Sequence, residues 1–174
     1  MTEPRVLTEI DGQIAHIWLN RPDKLNGVDL ELIEELIAAA ESLKANRDIR
    51  AVVIQGKGRS FCAGLDFGAA FKDRKRVARF FLAGPRPVNK FQKVTTIWRD
   101  LPVPVIAVIH GHCYGAGVQL AAGADFRFTT PDATWSILEY ALHRFLGHDR
   151  RTMPNFFSVE HTRHHIEGDY FAPT

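Results

Sequence analysis

Apolar positions recur along the chain with two periods, and these divide it into short strands and a few helices. Val6 to Ile10, an Asp11-Gly12 turn and Ile14 to Leu19 carry a hairpin signature. In its second arm Ile14, His16 and Trp18 alternate with Ala15, Ile17 and Leu19, which predicts one buried face. Beyond a proline-broken loop, Asp29 stands as a helix N-cap. Leu30, Ile33, Leu36, Ile37, Ala40 and Leu43 then recur at three and four residues, with Glu31, Glu34, Glu35 and Glu41 on the outer face. This spacing predicts an amphipathic helix ending near Asn46. Ala51 to Gln55 reads as a short buried strand. Val105 to Ile109, β-branched nearly throughout and bounded by proline and glycine, reads as a strand buried on both faces.

The connecting stretches are less regular. Lys72, Asp73, Arg74, Lys75, Arg76 and Arg79 crowd between phenylalanines in residues 67–87, where a partly helical, mobile segment is expected. Its charges form either a solvated face or a patch for an acidic ligand. Helical spacing resumes from Val88 through Phe91, Val94, Trp98 and Leu101, and Leu101-Pro-Val-Pro104 stops it. Gly123 to Thr130 predicts a turn and short strand, and Trp135-Ser-Ile-Leu-Glu139 ends an apolar run on a carboxylate.

Composition narrows the class without identifying the chemistry. The 174 residues give room for one domain with a real core, and 45% hydrophobic with 24% charged residues is ordinary for a globular protein. A formal charge of +2 and the lack of a long basic run argue against a dedicated nucleic-acid protein. Cys62 and Cys113 follow apolar strands in small-residue turns and read as buried free thiols in a reducing compartment. The first residues lack the apolar core of a signal peptide, and no apolar run reaches membrane-spanning length. A cytoplasmic protein without membrane insertion is the expectation.

Candidate chemistry concentrates where the Val105–Ile109 run meets Gly111, Gly115 and Gly117. These glycines permit positive φ and close backbone approach. Where such a turn opens a helix, the first amides lack internal partners, so residues 114–117 form either an anion or oxyanion site or a tightly packed structural turn. The glycines are not spaced as in phosphate-binding loops, and no serine occupies the turn. A similar device appears earlier: the apolar Ala51–Gln55, then Gly56-Lys-Gly-Arg-Ser-Phe-Cys-Ala-Gly-Leu-Asp66. Gly64 and Gly117 lie 53 positions apart, a weak internal repeat of strand, turn and helix.

Together the motifs resemble the crotonase family, the enoyl-CoA hydratase and isomerase group. The matching pieces are Asn20-Arg-Pro-x-x-x-Asn26, Gly58-Arg-Ser-Phe-Cys-Ala-Gly-Leu-Asp66 and Pro104-Val-Ile-Ala-Val-Ile-His-Gly-x-Cys-x-Gly-Ala-Gly117. Ala124-Asp-Phe-Arg-Phe128 and Ala133-Thr-Trp-Ser-Ile-Leu-Glu139 follow in order. The resemblance implies an α/β fold, a spiral of repeated ββα units over residues 1–139. It also implies an acyl-CoA or enoyl-CoA substrate, whose coenzyme A is part of the substrate and not a separate cofactor. By the same resemblance the Leu65 and Ala116 amides hold the thioester oxygen, while Gln119 and Glu139 occupy the two positions where hydratases of the group carry glutamates. Arg21, Lys24, Leu25, Ala63 and Asp66 fall near the nucleotide or pantetheine. Arg21 or Lys24 would meet phosphate oxygens, and Ala63 and Asp66 would contribute backbone groups. A homotrimer or hexamer is the assembly it implies.

Three departures qualify this. Gln119 cannot exchange a proton near neutral pH, which leans the chemistry toward double-bond isomerisation or weak hydration with Glu139 as the single acid. Phe67 stands where a lysine often follows the aspartate. After Glu139 the likeness ends, and residues 140–174 form an atypical tail holding His143, His148, His161, His164 and His165 in place of most of the expected C-terminal helical region. That tail reads as an altered ending; metal binding by His161, His164 and His165 is the alternative. An impaired protein that binds acyl-CoA or a partner subunit is the rival function.

Overall fold

Among the described residues the alternating segments become seven strands: β1 (Val6–Asp11), β2 (Ile14–Leu19), β3 (Ala51–Gly56), β4 (Val105–Ile109), β5 (His112–Tyr114), β6 (Phe126–Thr129) and β7 (Thr134–Ser136). The computed structural model describes residues 3–70, 72–81 and 88–136. These fall within one compact unit, Met1–Ser136. Five strands form a sheet in the order β1-β2-β3-β4-β6, and β5 pairs with β7 in a second, two-stranded sheet. Among the described residues only the β1–β2 hairpin is antiparallel, and every other strand pairing is parallel. Parallel neighbours need a crossover, and the helices supply it.

The crossover from β2 to β3 is α1 (Leu30–Lys44), whose first turn is capped by the Asp29 carboxylate accepting from the Leu32 N–H at 2.9 Å. Its buried Leu32, Ile33, Leu36, Ile37 and Ala40 join the core beneath the sheet. Register aligns that sheet face. Ile17 lies opposite Ile54, and Ile54 opposite Ala107, so the buried residues of three strands share one side.

The alternate residues of β3 and β4 are half-exposed. The expectation that Val105–Ile109 would be buried on both faces is therefore corrected, and Ala51–Gly56 is buried on one face only. Among the described residues the helices cover one face, and β-branched composition does not distinguish a covered strand from one awaiting cover.

Between β3 and β4 come α2 (Phe67–Ala70), α3 (Arg74–Phe81) and α4 (Lys90–Thr96), followed by a 3₁₀ turn at Ile97–Asp100. Asn89 and Gln92 form a reciprocal capping box at the start of α4. Trp98 is fully buried, its indole N–H donating to the Val94 carbonyl at 2.9 Å. In the charge run of residues 72–79, Lys72, Asp73, Lys75 and Arg79 are exposed, as the solvated-face reading expects, while Arg76 turns to α1. Arg76 pairs with Glu31 at 2.5 Å and Glu34 at 2.7 Å, Lys90 reaches Glu34 at 2.6 Å and Lys93 pairs with Glu41, binding α3 and α4 to α1. The last crossover is α5 (Ala116–Ala122), between β5 and β6. Among the described residues, no helix is long and apolar enough to cross a membrane.

Candidate functional site

The two glycine-rich turns lie side by side. The Phe61 N–H donates to the His110 carbonyl at 2.8 Å, the Cys62 N–H to His112 at 2.9 Å, and the Tyr114 N–H returns to Cys62 at 2.9 Å. Cys62 and Cys113 are thus direct partners across a parallel bridge, and Cys113 pairs onward with Trp135 of β7. Successive strand-turn segments stack as coils of a spiral.

This stacking revises the internal repeat. Gly64 corresponds to Gly115, not to Gly117. Both take positive φ, 94° and 48°, and a Cβ built on Gly115 would lie 3.9 Å from the Gly64 Cα. Gly117 is helical and serves a different need, because a Cβ there would stand 2.6 Å from the Cys62 carbonyl oxygen and 2.8 Å from its Cβ. Its absent side chain lets α5 begin against the first turn.

The residues next in each coil are Leu65 and Ala116. A Cβ on Gly64 would lie 3.1 Å from the Tyr114 oxygen and 4.0 Å from the Ala116 nitrogen, so the two peptide segments are close neighbours. Neither the Leu65 nor the Ala116 N–H meets an acceptor among the described residues. Leu65 forms an isolated parallel bridge with Val28, flanked by Val28 N–H to Gly64 carbonyl at 2.8 Å and Asp66 N–H to Val28 carbonyl at 2.9 Å. Since successive peptide groups of an extended chain point to opposite sides, the Leu65 N–H faces away from Val28. On the other coil, Gly115 donates to the Ser136 carbonyl at 2.8 Å and the Tyr114 hydroxyl meets Thr134 Oγ1 at 2.9 Å, so β7 holds the second turn.

The loop of residues 20–29 lies along the first turn. Leu25 and Asn26 both adopt left-handed conformations, φ 50° and 55°, unusual for a leucine. The Leu25 carbonyl accepts from the Ala63 N–H at 2.9 Å. Fully buried Asn26 accepts from the Arg21 N–H at 2.8 Å and donates to the Lys57 and Ser60 carbonyls at 2.9 and 2.8 Å. The sequence motif by itself assigns Asn26 no role. Its signal was a polar residue in a turn beside a buried strand end, where three main-chain groups need partners.

Arg21 requires a correction. Its guanidinium, 8% exposed, donates to the Gly27 carbonyl and pairs with Asp66 at 3.0 Å and Asp29 at 3.3 Å. It is turned inward, where it is not presented to a phosphate; Lys24, on the exposed 3₁₀ turn Pro22–Lys24, is the accessible cation of that loop. Asp66 is held likewise. Burial opposes its ionisation, but the Ala69 N–H and the Arg21 guanidinium outweigh it and hold the carboxyl below its ordinary value. The N–H groups of Ala63 and Asp66 are both spent on the neighbouring loop, which leaves the Ala63 carbonyl, unmatched by any described donor, as the main-chain group able to meet a ligand.

Of the remaining candidates, Gln119 is exposed on α5. Glu139 and the five tail histidines lie outside the described residues, and there is no cluster of three or more His, Cys, Asp or Glu suited to a metal among those described. Burial pushes both thiols up to about 12, Cys113 with a further contribution from Cys62, so neither is a ready nucleophile.

Comparison with known proteins matches this arrangement. Residues 9–143 match the family model described as enoyl-CoA hydratase/isomerase. The mouse mitochondrial Delta(3,5)-Delta(2,4)-dienoyl-CoA isomerase is 33% identical over 141 residues, covering 76% of this chain and 42% of that protein. The (E)-benzylidenesuccinyl-CoA hydratase of Thauera aromatica is 28% identical over 143 residues, covering 82% and 53%. An enoyl-CoA hydratase/isomerase structure from Xanthobacter autotrophicus Py2 superposes with a TM-score of 0.67 at 29% identity, covering 77% of this chain and 49% of that one. The chain thus spans about half the length of the relatives it matches. With the crotonase-type architecture and the family match agreeing over the same residues, the chain belongs to the enoyl-CoA hydratase/isomerase family.

Proposed function

We propose that this protein binds an acyl-CoA thioester and shifts a double bond through an enolate. The Leu65 and Ala116 amides would receive the thioester oxygen, and Glu139 would carry the proton. The observation that carries this reading is the contact of two coils whose corresponding N–H groups both lack an acceptor among the described residues. Removing a proton from the carbon beside a thioester carbonyl sends the electron pair onto oxygen. Preorganised donors at that oxygen lower the barrier, by on the order of 3 kcal/mol for each donor in comparable sites. Returning the same proton to the far end of the conjugated system moves the double bond, with no net change in composition. One carboxyl group suffices for both transfers.

Support for a single carrier comes from Gln119, an amide where two-acid hydratases of the group have a carboxyl. The dienoyl-CoA isomerase among the relatives favours the same direction. The ester is held chiefly through Lys24, the Leu25 loop and the Ala63 carbonyl. Weak hydration is the secondary activity.

The test is to incubate the full chain with unsaturated CoA esters differing in double-bond position, following the absorbance of the conjugated thioester and analysing the products. Isomerised product lost in Glu139→Gln supports the proposal. Binding of esters without turnover would instead favour a role in acyl-CoA or subunit binding, a reading to which Gln119 also lends weight.

A further inference from the structure

Among the described residues, Arg21 is the one buried cation whose contacts converge on the first turn. Each of its three acceptors adjoins the Val28–Leu65 bridge: Gly27 and Asp29 precede and follow Val28, and Asp66 follows Leu65. Asp29 also caps α1 and pairs with Arg5 at 3.2 Å, while Asp66 accepts from the Ala69 N–H at 3.0 Å as α2 begins. The cluster holds two cations and two carboxylates, with Arg21 and Asp29 buried and Arg5 and Asp66 partly exposed at its edge. A guanidinium suits this task because its planar fork can reach several acceptors at fixed angles, which a lysine ammonium on a flexible stem does not.

We propose that Arg21 is a positioning residue: by clasping Gly27, Asp29 and Asp66 around the Val28–Leu65 bridge, it holds the Leu65 N–H beside that of Ala116. The assignment rests on the proposed oxyanion role of these amides, but its geometry does not. Without the clasp, two backbone bonds to Val28 remain, and the turn keeps its course but loses its link to the capped end of α1. The Leu65 amide then samples directions away from Ala116. Substrate affinity, supplied elsewhere along the ester, changes little. The main loss falls on the step in which negative charge grows on the oxygen.

The full chain is compared with Arg21→Met, Arg21→Lys and Asp66→Asn. In Arg21→Met, kcat should fall by roughly 10- to 100-fold with KM within about threefold, equally for a CoA ester and for the matching pantetheine ester. Arg21→Lys should recover only part of this loss. A rise in KM confined to the CoA ester would overturn the proposal, because it would mark Arg21 as a nucleotide-phosphate ligand. Amide hydrogen exchange supplies a readout independent of turnover: exchange at the bonded Ala63 and Asp66 amides should rise by about tenfold or more while β3 and β4 keep their protection. Unchanged exchange there, or an equal rise throughout, would sink the idea. Asp66→Asn, which leaves the Arg21–Asp29 pair intact, should show the same pattern more weakly and serves if Arg21→Met does not fold. If the wild-type chain turns over no ester, the function proposed above fails by itself, and the exchange pattern alone decides the role of Arg21.

Discussion

Gly117→Ala is the substitution that most directly probes the meeting of the two coils. The added methyl would lie 2.6 Å from the Cys62 carbonyl oxygen, whereas carbon-oxygen contacts are ordinarily about 3.3 Å or longer. The start of α5 must therefore retreat from the first turn by about 0.7 Å. Overpacking of this kind costs about 1–3 kcal/mol, and the better helix propensity of alanine returns about 1 kcal/mol, so global stability should fall by no more than about 2 kcal/mol. The Ala116 amide moves with the helix. A misplacement near 1 Å can cost about 100-fold in rate, and a loss of roughly 30- to 100-fold in kcat is expected. The assay pairs turnover of the preferred unsaturated CoA ester with urea unfolding of the same preparation. Cys62→Ala in the Gly117→Ala background should not restore the rate, because the nearest obstacle is main-chain oxygen and the Cβ at 2.8 Å remains. A folded Gly117→Ala protein working within about threefold of wild type would refute the role given to this contact.

Further outcomes follow from the same geometry. Gln119→Glu supplies a second proton carrier on the exposed side of α5 and should raise hydration of a short 2-enoyl-CoA; unchanged product ratios in a folded variant would count against Gln119 facing the reacting carbons. Asn26→Ala strips partners from the Lys57 and Ser60 carbonyls and the Arg21 N–H, and should cost about 2–4 kcal/mol in chemical denaturation; a loss below about 1 kcal/mol would show that water replaces it. In acid, the Arg76 hydrogen bond holds Glu31 below its ordinary value, and Glu34 is lowered despite its burial by Lys90 and Arg76. Carboxyls depressed on folding stabilise above their unfolded pKa and lose that contribution as pH falls through their folded values. Because these side chains are 48% and 38% exposed, solvent screening limits the total to about 1 kcal/mol. Arg76→Met should then be destabilised at neutral pH, with the gap closing below about pH 4. An equal gap at pH 7 and pH 3 would assign Arg76 a packing role instead.

Much of the fold was legible because its determinants are local. The hairpin, the Asp29 cap with α1, and the Trp98 segment each follow from spacing and capping within a dozen or so residues, and the structure agrees with them to within a few positions. The two turns were legible for the same reason: a glycine beside small residues after an apolar run announces a tight bend wherever it packs.

What the amino-acid order alone determined was where the chain bends, which residues of β2 and α1 seek the core, and that two similar turns exist. Tertiary structure decided how those turns register, matching Gly64 to Gly115 and using Gly117 for clearance, and which sheet face the helices cover. It also turned Arg21 inward, onto a carboxylate 45 positions away. A guanidinium takes the acceptors that folding brings within about 3 Å, and no local pattern records them, since the partner depends on how distant segments are stacked.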